Sequence, residues 1–213
     1  MRESSRRSRR GTGPRLTWPA TGLAAGRATG FARALALLVV GVVAHAAPLL
    51  AQIAPSPDDI GRYRGLHAAA ASGDVAATAR LLDQEADPNL RDPDGRSPLH
   101  VAGHRGHHAV ARLLLERGGD PNALERSRYD LVTIAAVRDD VEMIRLALGF
   151  GANPRAVTSP YDGTALIAAA HLGHVETVRA LISAGAPLDH VNNLGWTALI
   201  ESIEGKRGLT RHR

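Results

Sequence analysis

The sequence predicts an all-α solenoid of stacked helix-turn-helix units with connecting β-hairpin loops. Three observations predict this fold. The chain matches itself when it is shifted by 33 residues, which is typical of repeat architectures. Each repeated unit carries two short apolar segments with helical spacing, and helices of that length are not stable alone in water. The chain also has no cysteine, so packing between units has to supply its stability.

The amino-terminal segment carries most of the positive charge. Residues 1–46 hold eight arginines and one glutamate, a net charge of +7, whereas the whole chain carries +5. Residues 47–213 are therefore slightly acidic, at −2. A basic protein of this size suggests a nucleic-acid partner only when the charge lies on the folded domain. We therefore expect no nucleic-acid partner.

The pattern of residues 1–51 predicts an export signal. An Arg-rich region is followed by the apolar segment 34–44 and by small residues that permit cleavage after residue 46 or residue 51. The apolar segment has eleven residues, and a membrane-spanning helix needs about 20. The sequence predicts a periplasmic or secreted protein. The alternative is an uncleaved signal that anchors the protein in the membrane through residues 31–51.

A linker, residues 52–61, separates this signal from the repeats at 62–204. The segment "LHVAGHRGHHAVARLLLERGGDPN" aligns without gaps with the segments one repeat before and after it, and with a fourth after one extra residue. The segment "TALIESIEG" at 197–205 opens a further unit. We place the units at 62–94, 95–127, 128–160 and 161–193, with a partial fifth at 194–204.

The second unit shows the helix signals most clearly. Ser97 followed by Pro98 is typical of a helix start. Gly106 ends that helix after about two turns, and His107 opens the second helix. Gly118 closes the second helix in the left-handed conformation, which glycine adopts at no steric cost. Ala102 and Gly103 are small enough for close contact between helices.

The connecting loops and some caps vary between units. Asp94-Gly95 and Asp162-Gly163 supply tight-turn chemistry for hairpins. The third unit lacks such a pair, and Glu85 replaces the glycine expected at the end of the first unit. Both departures mark less regular units.

Residues 97–122 resemble the ankyrin repeat, with its T-P-L-H, G-H, LLL and G-A-D-x-N motifs. The resemblance covers about 62–204 and is most specific in the second and fourth units. The segments "SPYDGTALIAAAHLGHVE" at 159–176 and "LDHVNNLGWTALIE" at 188–201 are similar to those of exported bacterial ankyrin proteins. The resemblance implies partner binding through hairpin tips and the concave face formed with the first helices. The basic tail 205–213 lacks an apolar face and suggests a truncated last repeat.

Four histidines, His100, His104, His107 and His108, lie within nine residues. His100 and His104 have the helical spacing of zinc ligands, but valine stands where the H-E-x-x-H motif has its glutamate. Three of the four recur as repeat positions, since His100 aligns with His67, His104 with His171, and His107 with His174; His108 is unique to its unit. The ankyrin resemblance implies a structural hydrogen bond from His100 to backbone. A metal-binding protein that uses this cluster is the alternative function.

The residue that opens the second helix alternates between acid and histidine in successive units: Asp74, His107, Asp140 and His174. An imidazolium is disfavoured at a helix amino terminus. Flanking aspartates could offset this and make the stack sensitive to pH near about 6. The alternative is that the four residues are independent, solvated caps.

A row of aromatic side chains and one arginine suggests a partner-binding strip. Tyr63, Arg96, Tyr129 and Trp196 occupy equivalent places before the first helices, and Tyr161 lies two residues away from its equivalent place. Tyrosine, tryptophan and arginine are enriched at interface hot spots. The alternative is that these side chains pack on neighbouring hairpins and stiffen the stack.

No catalytic constellation is visible in the sequence. Neither a G-x-S-x-G nor a G-x-x-x-x-G-K-[ST] motif occurs, and "GFGAN" at 149–153 is a helix-ending glycine pattern. We predict a non-enzymatic, monomeric protein-interaction module without a cofactor, whose partner is an unidentified protein.

Overall fold

A computed structural model describes residues 54–203 of the chain. That part consists of helices and turns, with one isolated β-bridge between Thr158 and Gly163. A further helical segment occupies 198–203. The predicted signal 1–51 and the predicted tail 205–213 lie outside the described residues. The nine bounded helices are α1 Pro57–Arg62, α2 Gly65–Ser72, α3 Val75–Asp83, α4 Pro98–Arg105, α5 His108–Glu116, α6 Leu131–Val137, α7 Val141–Gly149, α8 Ala165–Leu172 and α9 Val175–Ser183.

The helices form two parallel layers. The first helices of the units, α2, α4, α6 and α8, pack on one another in chain order, and so do the second helices, α3, α5, α7 and α9. One apolar cluster runs continuously from Tyr63 to Ala186 between the layers. This continuity is expected for a solenoid, in which each unit buries its apolar face against its neighbours. The predicted all-α solenoid is confirmed.

The predicted helix signals of the second unit are present. The Ser97 hydroxyl caps α4, Pro98 is its first residue, and Gly106 ends it with φ of 69°. Gly103 lies where α4 approaches α6, since a Cβ built on it would lie 2.6 Å from Cδ1 of Leu131. The predicted close helix contact therefore occurs at Gly103.

Several non-glycine residues adopt the left-handed conformation at positions where other units have glycine. Glu85 has φ of 63°, Arg128 65° and Asp139 56°. Such a conformation brings Cβ close to the backbone and costs about 1–2 kcal/mol for most residues. In the third hairpin the left-handed residue is Asp162, with φ of 51°, while Gly163 forms the β-bridge. Asp162, and not Gly163, therefore takes the left-handed position of this turn. This differs from the Asp-Gly turn that the sequence predicts.

Asparagine side chains link successive units on one side of the stack. The Asn89 side chain donates to the Gly118 carbonyl at 2.9 Å and accepts from the Asp120 amide at 2.9 Å. Asn122 repeats both bonds one unit later, to Gly151 and from Asn153. Arg155 takes this place in the third unit and donates a single bond to Gly185.

Part of the predicted linker is helical. The segment from Pro57 to Arg62 forms α1, with Ser56 as a capping-box residue. Ile60 of α1 packs against the apolar cluster of the first unit. The linker is therefore not an unstructured connection over this segment.

Candidate partner-binding surface

The first hairpin is held by a buried polar group. The Tyr63 hydroxyl donates to the Asp92 carboxylate at 2.9 Å, and Nη1 of Arg96 lies 3.3 Å from the same carboxylate. Tyr63 is 9% exposed and Arg96 5%. Burial, together with the neighbouring Asp92, raises the pKa of Tyr63 to about 12. The hydroxyl therefore stays protonated and holds the hairpin against the first unit.

Two further carboxylates surround the Arg96 guanidinium. Asp94 lies 3.2 Å and Asp59 3.5 Å from Nη1. Asp59 belongs to α1, so this arginine links the amino-terminal helix to the first hairpin. The pKa of Asp59 is lowered to about 2, mainly by a hydrogen bond from the Ser56 backbone and, to a smaller extent, by one from the Ser56 side chain. The carboxylate is therefore ionised at neutral pH.

Tyr129 in the second hairpin is also buried, at 7% exposure. Its ring packs with Ile134 in a small separate cluster. The Tyr129 amide donates to Oε1 of the buried Glu125 at 3.2 Å. Burial, with Tyr161 and Glu125 nearby, raises the pKa of Tyr129 to about 12.

The predicted strip is therefore exposed only in its carboxy-terminal half. Tyr63 and Arg96 are buried in the polar group of the first hairpin. Tyr129 is buried against Ile134 of α6. Tyr161 is partly exposed and Trp196 is 36% exposed. The role of these two side chains in binding stays a prediction, and the three buried residues could contribute only by fixing the hairpins.

A second row of side chains, missed from the sequence, is exposed on the hairpins. Leu124, Val157 and Val191 occupy the same place in successive hairpins and are 40%, 41% and 54% exposed. In the first hairpin this place holds Arg91, whose guanidinium donates to the Leu124 carbonyl at 2.7 Å. Aliphatic residues at a constant offset were visible in the sequence as a signal. Sequence alone does not show that these aliphatic residues are exposed, because the same residue types also form the core.

His100 has the structural role that the ankyrin resemblance implied. Its Nε2 donates to the Ala123 carbonyl at 2.9 Å, and its Nδ1 accepts from the Ser97 amide at 3.1 Å. His67 makes the equivalent bond to the Arg96 carbonyl at 2.9 Å. Burial, which disfavours the imidazolium, lowers the pKa of His100 to about 4. The ring is therefore neutral at pH 7.

His104 is buried on the same helix without a comparable bond. Among residues 54–203 its Nε2 has no hydrogen-bond partner. Burial, with the nearby charges of Arg96 and Arg138, lowers the pKa of His104 to about 3. The aligned residues in the first and third units are Ala71 and Val137. The position is therefore apolar in two of the four units, and His171 occupies it in the fourth.

The prediction that aspartates flank and contact His107 is wrong. Its Nε2 donates to the carbonyl of Ala71 at 3.3 Å, and His174 makes the same bond to Val137 at 3.2 Å. His108 instead contacts Asp140, with Nε2 at 2.8 Å from each carboxylate oxygen. The repeat alignment could not show this, because it pairs Asp140 with His107 and not with His108.

The four histidines of 100–108 therefore do not converge. Two are buried on α4, one bonds to the preceding unit and one to the following unit. Within residues 54–203 no group of three or more histidines, cysteines, aspartates or glutamates could hold a metal ion. Nothing in this arrangement favours the metal-binding alternative. No helix in the same range is long and apolar enough to cross a membrane.

A stack of helix pairs with rigid, outward-facing hairpins defines a repeat solenoid. A family model described as ankyrin repeats (3 copies) matches residues 43–127 and 132–209. The crystal structure of an ankyrin repeat domain from Acinetobacter baumannii AYE is 42% identical, with a TM-score of 0.62; the match covers 65% of this chain and 70% of that chain. A search of curated proteins found no match. The chain belongs to the ankyrin repeat family, whose members generally mediate protein–protein interaction and are typically non-enzymatic.

Proposed function

We propose that the chain is an exported scaffold that binds a partner protein through its hairpins and the adjoining concave face. The observation that carries this proposal is the exposed aliphatic row of Leu124, Val157 and Val191 on three successive hairpins. Neighbouring helices in a stack lie about 8–10 Å apart, so the row offers apolar contacts at a regular spacing. Trp196 and Tyr161 extend this surface toward the carboxy-terminal units.

The buried polar group beneath the first hairpin supports the same proposal. Tyr63, Asp92 and Arg96 fix that hairpin against the first unit at 2.9–3.3 Å. A surface that is already ordered loses less conformational entropy when it binds, which favours affinity. Exposed charges near the row, such as Arg126 and Asp94, would act mainly on association rate and partner choice.

Capture of partners from a periplasmic extract tests this surface. We expect the unsubstituted chain to retain a defined set of proteins, and Val157→Asp to lose them because a charge replaces an apolar contact. Val75→Asp is the matched control, since Val75 is 42% exposed but lies on α3, away from the hairpins. Tyr161→Ala with Trp196→Ala tests the remaining aromatic contacts. Equal capture by all variants would refute the proposed surface.

Export is the second part of the proposal. It rests on the sequence pattern of residues 1–51, with cleavage after residue 46 or 51, and on the similarity of 159–176 and 188–201 to exported bacterial ankyrin proteins. Cell fractionation followed by amino-terminal sequencing of the mature protein tests it. A mature protein that begins at residue 47 or 52 supports cleavage, whereas an intact amino terminus in the membrane fraction supports the anchor at 31–51. An intact protein in the cytoplasm would contradict export.

A further inference from the structure

A buried histidine fastens the second hairpin to α4. Nε2 of His100 donates to the carbonyl oxygen of Ala123 at 2.9 Å, and His100 is 2% exposed. The backbone of Tyr129 is the second hairpin group that acts on this ring. Ala123 and Tyr129 are the two ends of residues 123–129, which we call the hairpin segment. A single imidazole therefore interacts with both ends of the hairpin segment.

The other nitrogen of the His100 ring is an acceptor in this arrangement. Nδ1 accepts from the Ser97 amide at 3.1 Å and lies 2.8 Å from the Ser97 hydroxyl oxygen. A proton on Nδ1 turns this acceptor into a donor. The hydroxyl oxygen can then accept, but the Ser97 amide at the start of α4 loses its partner. Protonation of His100 is therefore unfavourable as long as the ring stays in place.

The surroundings of His100 also disfavour a positive charge. Burial is the largest cause that lowers the pKa of His100, to about 4, and the charge of Arg91 acts in the same direction, whereas Asp92 opposes it. The ordinary pKa of a histidine in water is about 6.5. An imidazolium at His100 is therefore more stable in water than in the folded core.

The neighbouring His104 supplies no counter-charge. It is 7% exposed on α4, and its Nε2 has no hydrogen-bond partner among residues 54–203. The charges that act on it, after burial and His100, are those of Arg96 and Arg138. A proton taken up by His100 therefore has a neutral or cationic neighbour along α4.

Other ionisable groups on α4 and its neighbouring helices are bonded elsewhere or exposed. His67 of α2 bonds to the Arg96 carbonyl, His107 and His108 at the start of α5 bond to Ala71 and Asp140, and Asp130 caps α6 through the Thr133 amide. Arg105 of α4 and Arg112 and Glu116 of α5 are exposed. Burial raises the pKa of Asp130, so proton uptake there acts in the opposite direction. Asp130 lies outside the hairpin segment, and its bond to α6 does not depend on that segment.

The third hairpin is fastened by hydroxyl groups at the equivalent place. Thr133 of α6 aligns with His100, and its hydroxyl lies 2.8 Å from that of the buried Thr158. Neither hydroxyl titrates between pH 5 and pH 7. His190 donates to the Asp162 carbonyl further along this hairpin, a bond that an imidazolium also makes. The third hairpin is therefore an internal control for the second.

We propose that mild acid loosens the second hairpin and thereby weakens binding of the partner protein. Water reaches a protonated His100 ring when the hairpin segment lifts from α4. Leu124 belongs to this segment and is the first member of the exposed aliphatic row, so lifting removes it from its place beside Val157 and Val191. The inference rests on the proposed function and adds release in acid to it.

Amide hydrogen exchange measured by NMR at pH 7 and pH 5 tests the loosening without a partner. The Glu125 and Arg126 amides donate to the carbonyls of Tyr129 and Asp94, and the Thr158 amide donates within the third hairpin. After correction for intrinsic exchange, we expect protection at Glu125 and Arg126 to fall about twentyfold. The reason is that the pKa of His100 is about 4 when the ring is buried and about 6.5 in water. Protection at Thr158 should stay unchanged.

His100→Gln removes the titrating group and retains an amide donor for the Ala123 carbonyl. The pH dependence at Glu125 and Arg126 should then disappear, whatever the variant does to overall stability. His107→Gln is the matched control, because His107 is only partly buried and bonds to Ala71, and it should keep the twentyfold change. Unchanged protection of the second hairpin in the unsubstituted chain overturns the proposal. So does an equal loss at Thr158, or a twentyfold change that persists in His100→Gln.

Elution of captured proteins at pH 5 tests the release. Proteins retained at pH 7 should leave the unsubstituted chain and His107→Gln at pH 5 but remain bound to His100→Gln. Loosening of the hairpin without this difference in release overturns the regulatory role. Failed capture at pH 7 refutes the proposed surface instead, and the exchange measurement still decides whether acid loosens the hairpin.

Discussion

Nε2 of His100 donates to the carbonyl oxygen of Ala123 at 2.9 Å and thereby ties the second unit to the loop that enters the third. The loop carbonyl is buried and the ring accepts a bond from Ser97 at its other nitrogen. A single side chain thus satisfies polar backbone groups at the start of α4 and in the second hairpin. Such groups cost about 1–3 kcal/mol each when they are buried without a partner.

We expect His100→Ala to lower the free energy of unfolding by about 2–4 kcal/mol, since it removes both bonds and leaves a cavity. Urea denaturation followed by circular dichroism measures this. His107→Ala is the control, because its bond to Ala71 is longer, 3.3 Å, and its ring is only half-buried. The control should cost at most about 1 kcal/mol. Equal losses for the two variants would contradict the structural role assigned to His100.

We expect stability to fall as the pH drops below about 6.5, the ordinary value for histidine. The folded pKa is lowered to about 4 for His100 and to about 3 for His104, so the unfolded chain binds more protons between these values and 6.5. At pH 5 each ring would then cost on the order of 2 kcal/mol. Denaturation midpoints between pH 7.5 and pH 4.5 measure the loss.

His104→Val tests the origin of this pH dependence. Valine occupies the aligned position in the third unit, and the variant removes a buried nitrogen that has no partner among residues 54–203. We expect stability at pH 7 to be unchanged or raised by about 1 kcal/mol, and the loss at pH 5 to be reduced. An unaltered pH profile would show that His104 is not buried as a neutral ring.

We expect Glu85→Gly to stabilise the chain by about 1 kcal/mol. Glu85 has φ of 63°, a conformation that costs a non-glycine residue about 1–2 kcal/mol, and the aligned residue of the second unit is glycine. Arg112→Gly, at an exposed position inside α5, should instead destabilise by about 1 kcal/mol. Thermal unfolding of the two variants measures these opposite changes. A loss of stability in Glu85→Gly would contradict the backbone assignment.

We expect Gly103→Ala to destabilise the stack by about 1–3 kcal/mol. The new Cβ would lie 2.6 Å from Cδ1 of Leu131, which is 1% exposed, so this side chain would have to shift within the core. Gly149→Ala is the matched control, because nothing lies within 4 Å of its Cβ position. Alanine at the last position of α7 should be neutral or stabilising by about 0.5–1 kcal/mol. Denaturation midpoints that shift equally would refute the close contact between α4 and α6.

The repeat register made the helical layers predictable from sequence. The caps at Ser97 and Gly106 followed from local chemistry, because a hydroxyl at a helix start and a glycine at its end are set by the backbone alone. The close contact at Gly103 also followed, since a small residue is needed where two helices approach closely.

Burial of the hairpin residues could not be predicted in the same way. Tyr63 and Arg96 have residue types found both in binding surfaces and in buried polar groups, and the difference depends on where Asp59 and Asp92 lie in three dimensions. The contact of His108 with Asp140 could not be predicted either, because the repeat alignment places Asp140 opposite His107.

The asparagine links have a consequence for how the stack unfolds. Asn89 and Asn122 each connect two units by a pair of hydrogen bonds, whereas Arg155 provides one bond at the next junction. The first three units are thus tied more firmly along this side than the fourth is to the third. Thermal unfolding should therefore begin at the junction between the third and fourth units. The stack would then unfold in a preferred direction, although its layers are similar to one another.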